Sequence, residues 1–180
     1  MFWDLFKTKK QKTMEVLLSV TSVICGLIDM IKYFGKIDKM QLLDDEYMRQ
    51  YLIGAYTYAA IKLGYKLSDK EVSYTVLKGY MLILEGKFEL SQADATETVT
   101  RIMANANENP TLPDAVGDGV SDAKGAFNNT GTINLVTHFI AEMDVPSPQI
   151  VQQMDDFQKY RLQETDKFVK RMNANMGKKD

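Results

Sequence analysis

The chain has 180 residues, 45% of them hydrophobic, and 22 basic against 24 acidic side chains give a net charge of −2, enough for one domain with its own core. A single cysteine, Cys25, and a single histidine, His138, exclude an internal disulfide, a redox cysteine pair and a zinc site built from several imidazoles. Charge is uneven: four lysines against Asp4 give residues 1–12 +3, and five bases against Asp166 and Asp180 give residues 165–180 +3, leaving −8 for a body without the basic stripe a nucleic acid needs.

The N-terminal stretch MFWDLFKTKKQK is aromatic and basic. We expect Phe2, Trp3, Leu5 and Phe6 to dock on the helical body, with membrane contact through this segment the less favoured reading. The following run holds 13 uncharged residues between Glu15 and Asp29, about 20 Å of helix against the roughly 30 Å of a bilayer core. It also lacks a signal-peptide cleavage pattern. The expectation is a cytoplasmic protein.

Hydrophobic periodicity predicts six helices in one domain over 13–176, between an N-terminal segment 1–12 and a tail 177–180. The first spans about Thr13 to Phe34, and a stripe of Glu15, Ser19, Ser22, Gly26 and Asp29 falls within about 80° on its wheel. Such a stripe either faces water or lets another chain segment come close. The second helix follows Asp44 and Asp45, which suit a helix start. The third runs from about Ser68 to Gly86. The fourth begins at Ser91, with Ala95, Val99, Ile102, Met103 and Ala106 on one face.

From Asn107 to Gly131 the chain is rich in Gly, Asn and Pro and reads as a functional loop, a disordered excursion, or a stretch holding a short helix around Ala115 to Phe127. A fifth helix covers TINLVTHFIAEM, with Ile133, Val136, Thr137 and Ile140 on one side. His138 lies off that face and reads as an exposed side chain. The sixth helix runs from Ser147 to Met176, with Ser147 as its cap and Pro148 at its first position. Its apolar stripe is Ile150, Met154, Phe157, Phe168 and Met172, interrupted by Arg161 and Thr165. The body is expected to end near Arg161, leaving residues 162–176 for self-association or a protein partner.

The stretch VGDGVSDAKGAF, within the expected loop, resembles the GDGxND signature of the haloacid dehalogenase superfamily, in which acidic residues hold a catalytic magnesium ion. The resemblance implies Asp118 and Asp122 as metal-side carboxylates, with Ser121 where that family has Asn. NNTGTIN is similar to the same family's DKTGT nucleophile motif, but Asn128 stands at the nucleophile's position, and an amide forms no aspartyl-phosphate. A calcium loop of EF-hand type uses Asp114, Asp118 and Asp122, but Val116 and Gly125 then fill ligand positions. As a dinucleotide fingerprint, GDGVSD puts Asp122 where the third glycine belongs.

On the second helix Tyr47, Tyr51, Tyr58 and Tyr65 share an arc of about 80° with Gly54 and Ile61. Tyrosine suits a surface that is apolar on one side and wet on the other, so the rings either fill the seams between neighbouring helices with their hydroxyls toward water or line a ligand pocket or partner face. The sequence therefore predicts an all-α, single-domain bundle of about six helices that acts as a protein- or ligand-binding module, without catalytic activity and without a cofactor. Its expected working surface is Tyr47, Tyr51, Tyr58, Tyr65, Phe168 and Met172, and its expected partner another protein or a second copy, not a nucleic acid. The alternative is a metal-dependent enzyme or metal-binding protein using Asp114, Asp118 and Asp122.

Overall fold

The computed structural model describes residues 8–68, 70–105, 113–128, 133–140 and 147–176. The aromatic residues before Thr8, and the expected helix positions Ala106 and 141–143, lie outside them. Among the described residues all regular structure is helical: α1 (Lys9–Gly35), α2 (Lys39–Asp44), α3 (Glu46–Lys62), α4 (Lys70–Gly86), α5 (Gln92–Asn105), α6 (Pro113–Asn128), α7 (Asn134–Phe139) and α8 (Ser147–Met176). The all-α class holds. The expected count of about six becomes eight, because α2 and α6 are added.

α1 starts four residues earlier than its periodicity suggested. Thr8 accepts the Gln11 backbone N–H and Gln11 reaches back to Thr8, a capping box that satisfies the first amides. Lys36 ends it in the left-handed conformation at φ 53°. α2 is a turn and a half held by a second capping box, Asp38 with Gln41; six residues are too few for hydrophobic periodicity to register.

α6 replaces the expected loop and bears out the alternative of a short helix around Ala115 to Phe127. Its three glycines and Asn128 argue against a helix, since each glycine costs roughly 1 kcal/mol relative to alanine in a helix interior. Packing overrides that local preference. Ala115, Gly119, Asp122 and Ala123 form a small-residue stripe at helical spacing, all buried against the body.

The core is built around α1, which packs against α3, α4, α6, α7 and α8. By length and composition α1 could cross a membrane, but here Leu17, Val20, Ile24, Ile28 and Ile31 are fully buried among the other helices. α3 lies between α4 and α6, and α5 packs on the outside of α4. Tyr56 sits over Gly79, where a Cβ would fall 2.2 Å from its ring, and shares a 2.9 Å hydrogen bond with Thr21.

The far half of α8 does not leave the body. Glu164, Phe168 and Arg171 reach α1 and the end of α4: Phe168 lies on Gly86, and Arg171 donates to the Gly86 carbonyl at 3.0 Å and pairs with Glu89 at 2.6 Å. The interruption at Arg161 and Thr165 marks a change in what the helix packs on.

Candidate functional site

Two places bring chemically active side chains together. At the first, α3 and α6 meet backbone to backbone. A Cβ on Gly54 would fall 2.1 Å from the Val116 carbonyl oxygen, and one on Gly119 would fall 2.0 Å from that of Tyr51. Only glycine permits this approach. The contact carries the tyrosines of α3 onto the aspartates of α6. Tyr47 Oη–H donates to Asp118, and Tyr51 Oη–H donates to Asp122 Oδ2 at 3.0 Å.

Asp122 serves a second element as well. Its two carboxylate oxygens accept the backbone N–H groups of Asn134 and Leu135, each at 3.1 Å, and so hold the start of α7. Ile133, the residue before α7, offers no side-chain cap of its own, and the distant carboxylate replaces it. Burial, then the adjacent Asp122 carboxylate, pushes the Tyr51 phenol well above its ordinary range. Tyr47 is likewise pushed up by burial and by its bond to Asp118, so both phenols stay protonated donors.

The expected site residues therefore separate. Tyr51 is fully buried. Tyr47 is half-buried, its ring flat on His138 with centroids 3.5 Å apart. Tyr58 packs near Phe127 at 6.2 Å, and Tyr65 is half-buried beneath the Lys9 ammonium. Asp114, Asp118 and Asp122 share one face of α6. Asp114 is exposed, while Asp118 and Asp122 are engaged by the tyrosines. Among the described residues no group of three or more His, Cys, Asp or Glu side chains stands within reach of one metal ion. The Met172 side chain lies outside the described residues.

The second place is a cleft of about 250 Å³ between α1 and α8. Its α1 wall is Leu18, Ser22, Cys25 and Gly26, and its α8 wall is Arg161, Thr165, Phe168 and Val169. The small stripe of α1 and the polar interruption of α8, separate features in the sequence, face each other here. Asp29 and Lys87 form the floor, with side chains 3% and 4% exposed and in direct contact. Glu164 joins them, 3.5 Å from Lys87, 3.7 Å from Lys32 and 2.7 Å from Lys167.

Burial raises the Asp29 carboxyl even against its bond to Lys87. Burial also acts upward on Glu164, but the Lys167 hydrogen bond and the Lys87 and Lys32 charges outweigh it and hold that carboxyl below its ordinary range. The Cys25 thiol is pushed up to about 12, chiefly by burial, so it is a neutral S–H at physiological pH. Arg161 differs from the other charges of the cleft. It lies across Gly26, where a Cβ would fall 3.1 Å from Nη2, and among the described residues it has no acidic partner.

Lys87 carried no signal in the sequence, because a lysine in a helix-end turn looks the same whether solvated or buried; Asp29 stood in the α1 stripe, but its pairing with Lys87 was not visible there. The fold and its sites define an all-α bundle with a closed tyrosine–aspartate seam and an open amphipathic cleft. Compared with known proteins, the chain matches no family model, no curated protein and no solved structure.

Proposed function

We propose that the protein is a cytoplasmic ligand-binding module that holds a small amphipathic carboxylate in the cleft between α1 and α8. The observation that carries this reading is the guanidinium of Arg161, which borders an apolar cleft and among the described residues has no acidic partner, while the floor charges Asp29, Lys87 and Glu164 are all paired. A guanidinium is a fork of donors matched to a carboxylate, and Leu18, Phe168 and Val169 offer apolar surface beside it. At about 250 Å³ the cleft is smaller than the roughly 300–1,000 Å³ of drug-sized pockets, so it suits a ligand of about ten non-hydrogen atoms.

Binding is favoured over catalysis because the reactive groups at the cleft are committed. Cys25 is held as a thiol, and the Lys87 nitrogen is engaged by Asp29 and Glu164. Octanoate is the probe, with octanol as its uncharged counterpart. Millimolar octanoate should raise the melting temperature by mass action, octanol should do so less, and Arg161→Gln should remove the difference. No shift, or an equal shift in Arg161→Gln, defeats the proposal.

A protein partner or second copy on the outward face of α8 is the second reading. It is favoured by Leu162 and Val169, two turns apart and 69% and 47% exposed. Light scattering that finds a concentration-independent monomer, together with failure of Leu162→Ser to alter any captured complex, defeats it.

A further inference from the structure

The first helical turns of α1 lie against the start of α4 and the turn between α3 and α4. Lys9, Lys10, Thr13, Tyr65, Tyr74 and Lys78 line a shallow groove of about 360 Å³ there, with Glu71 as its acid. The Lys9–Glu71 pair is long, at 3.9 Å, and its side chains are 73% and 50% exposed, so it neutralises little. Lys70 flanks the same turn and is exposed, as is Lys66, which has a contact of its own. This end of the molecule is basic on an otherwise acidic body.

It is also apolar at its tips. Tyr74 is 61% exposed and Leu67, two residues beyond Tyr65, is 69% exposed, both among lysines. The Lys78 ammonium stands 5.6 Å over the Tyr74 ring and that of Lys9 stands 5.2 Å over Tyr65.

We propose that this end is a docking surface for an anionic lipid bilayer. Lysines on long apolar stems meet lipid phosphates and carboxylates, while an exposed leucine and an amphipathic ring enter the headgroup region. The cytoplasmic leaflet supplies the negative surface, and the acidic remainder of the body sets the orientation by being repelled from it. A nucleic acid offers the same charge but no apolar layer for Leu67 and Tyr74. The described fold brings Lys9, Lys10, Lys70 and Lys78 to one end together with Leu67 and Tyr74.

The test uses the full chain and phosphatidylcholine vesicles with and without about a third phosphatidylserine. Cosedimentation is expected only with the anionic vesicles, weakening as salt rises. Each lysine near such a surface contributes on the order of fivefold in partitioning, so Lys10→Gln with Lys78→Gln should lower binding by roughly tenfold or more. Leu67→Ser with Tyr74→Ser should weaken it separately. All four positions are at the surface or line the groove, and an unchanged melting temperature verifies that each variant is folded. Equal binding to neutral vesicles, no binding to either, or full binding by the double-lysine variant overturns the proposal. So does duplex DNA bound as tightly with the Leu67→Ser, Tyr74→Ser variant unaffected, which makes the patch a general polyanion surface. Retention on vesicles through an alkaline carbonate wash points instead to insertion of α1 and overturns peripheral docking.

Discussion

The α3–α6 seam and the α1–α8 cleft are made from similar parts and end differently. Both set a glycine-bearing helix against a neighbour that carries charged or aromatic side chains. At Gly54 and Gly119 the space left by the missing Cβ is filled by backbone, and the tyrosines and aspartates on either side are drawn into mutual hydrogen bonds. At Gly26 and Gly86 the space is filled by the ends of side chains, Arg161 and Phe168. Backbone on backbone closes the α3–α6 seam, whereas Arg161 laid over Gly26 borders the α1–α8 cleft. A glycine-rich acidic sequence can therefore be scaffold, and an interrupted apolar stripe can be the opening.

The largest effect is expected where the cleft behaves like the seam, at its buried floor. Lys87→Met leaves Asp29 buried without its cation and should cost about 3–5 kcal/mol in denaturant unfolding, while adding Asp29→Leu should restore much of it. If Lys87→Met is neutral, the floor is solvated and the contrast between floor and mouth disappears.

Next come the glycines. Gly54→Ala and Gly119→Ala force a methyl group into backbone and should each cost about 3 kcal/mol, against the usual gain of an alanine in a helix. Gly26→Ala displaces only the tip of Arg161 and should stay within about 0.5 kcal/mol, and Gly117, with open space around it, should gain roughly 0.5–1 kcal/mol on change to alanine. Equal penalties at Gly54 and Gly26 would erase the distinction between the two helix pairs.

Asp122→Ala should cost about 2 kcal/mol, since it leaves the Tyr51 hydroxyl and the first amides of α7 without their acceptor. Loss of amide-exchange protection confined to Asn134 and Leu135 is the local signature to look for. An unchanged melting curve would mean that the seam rests on its glycines alone.

The smallest effect is in pH. Glu164 and Glu89 are held below their ordinary 4.5; for Glu89 burial acts upward, and the Lys39 and Arg171 contacts outweigh it. The stability they contribute is present above the unfolded value and is lost as pH falls through the lowered folded values. The raised Asp29 carboxyl works in the opposite direction, so the net loss is modest. The stability difference between wild type and Glu164→Gln should shrink below about pH 4.5; a difference that grows on acidification reverses the assignment.

Much of the architecture was legible in the chain. Periodicity located α1, α3, α4, α5 and α8, and Ser147 with Pro148 marked the start of α8. Hydrophobic spacing reports burial of large apolar residues, and these helices bury them. α6 was visible only as an alternative because its buried face is Ala115, Gly119, Asp122 and Ala123, small or polar residues that give a weak hydrophobic period. The tyrosine stripe of α3 was visible as a stripe, but whether it met solvent, ligand or another helix depended on α6 lying against it.

The sequence by itself determined the helical class, the single core, and the positions where periodicity breaks, because those follow from local propensity and the burial of apolar area. Only the tertiary structure decided what each break faces. It placed Asp122 beside the amides of α7, Lys87 beside Asp29 from 58 residues away, the small stripe of α1 opposite Arg161, and the lysines of α4 beside the entry to α1. A glycine or a charge carries no partner in its own identity; its energy comes from what the fold sets within a few ångströms of it, and that is a property of helix packing between segments far apart in the chain.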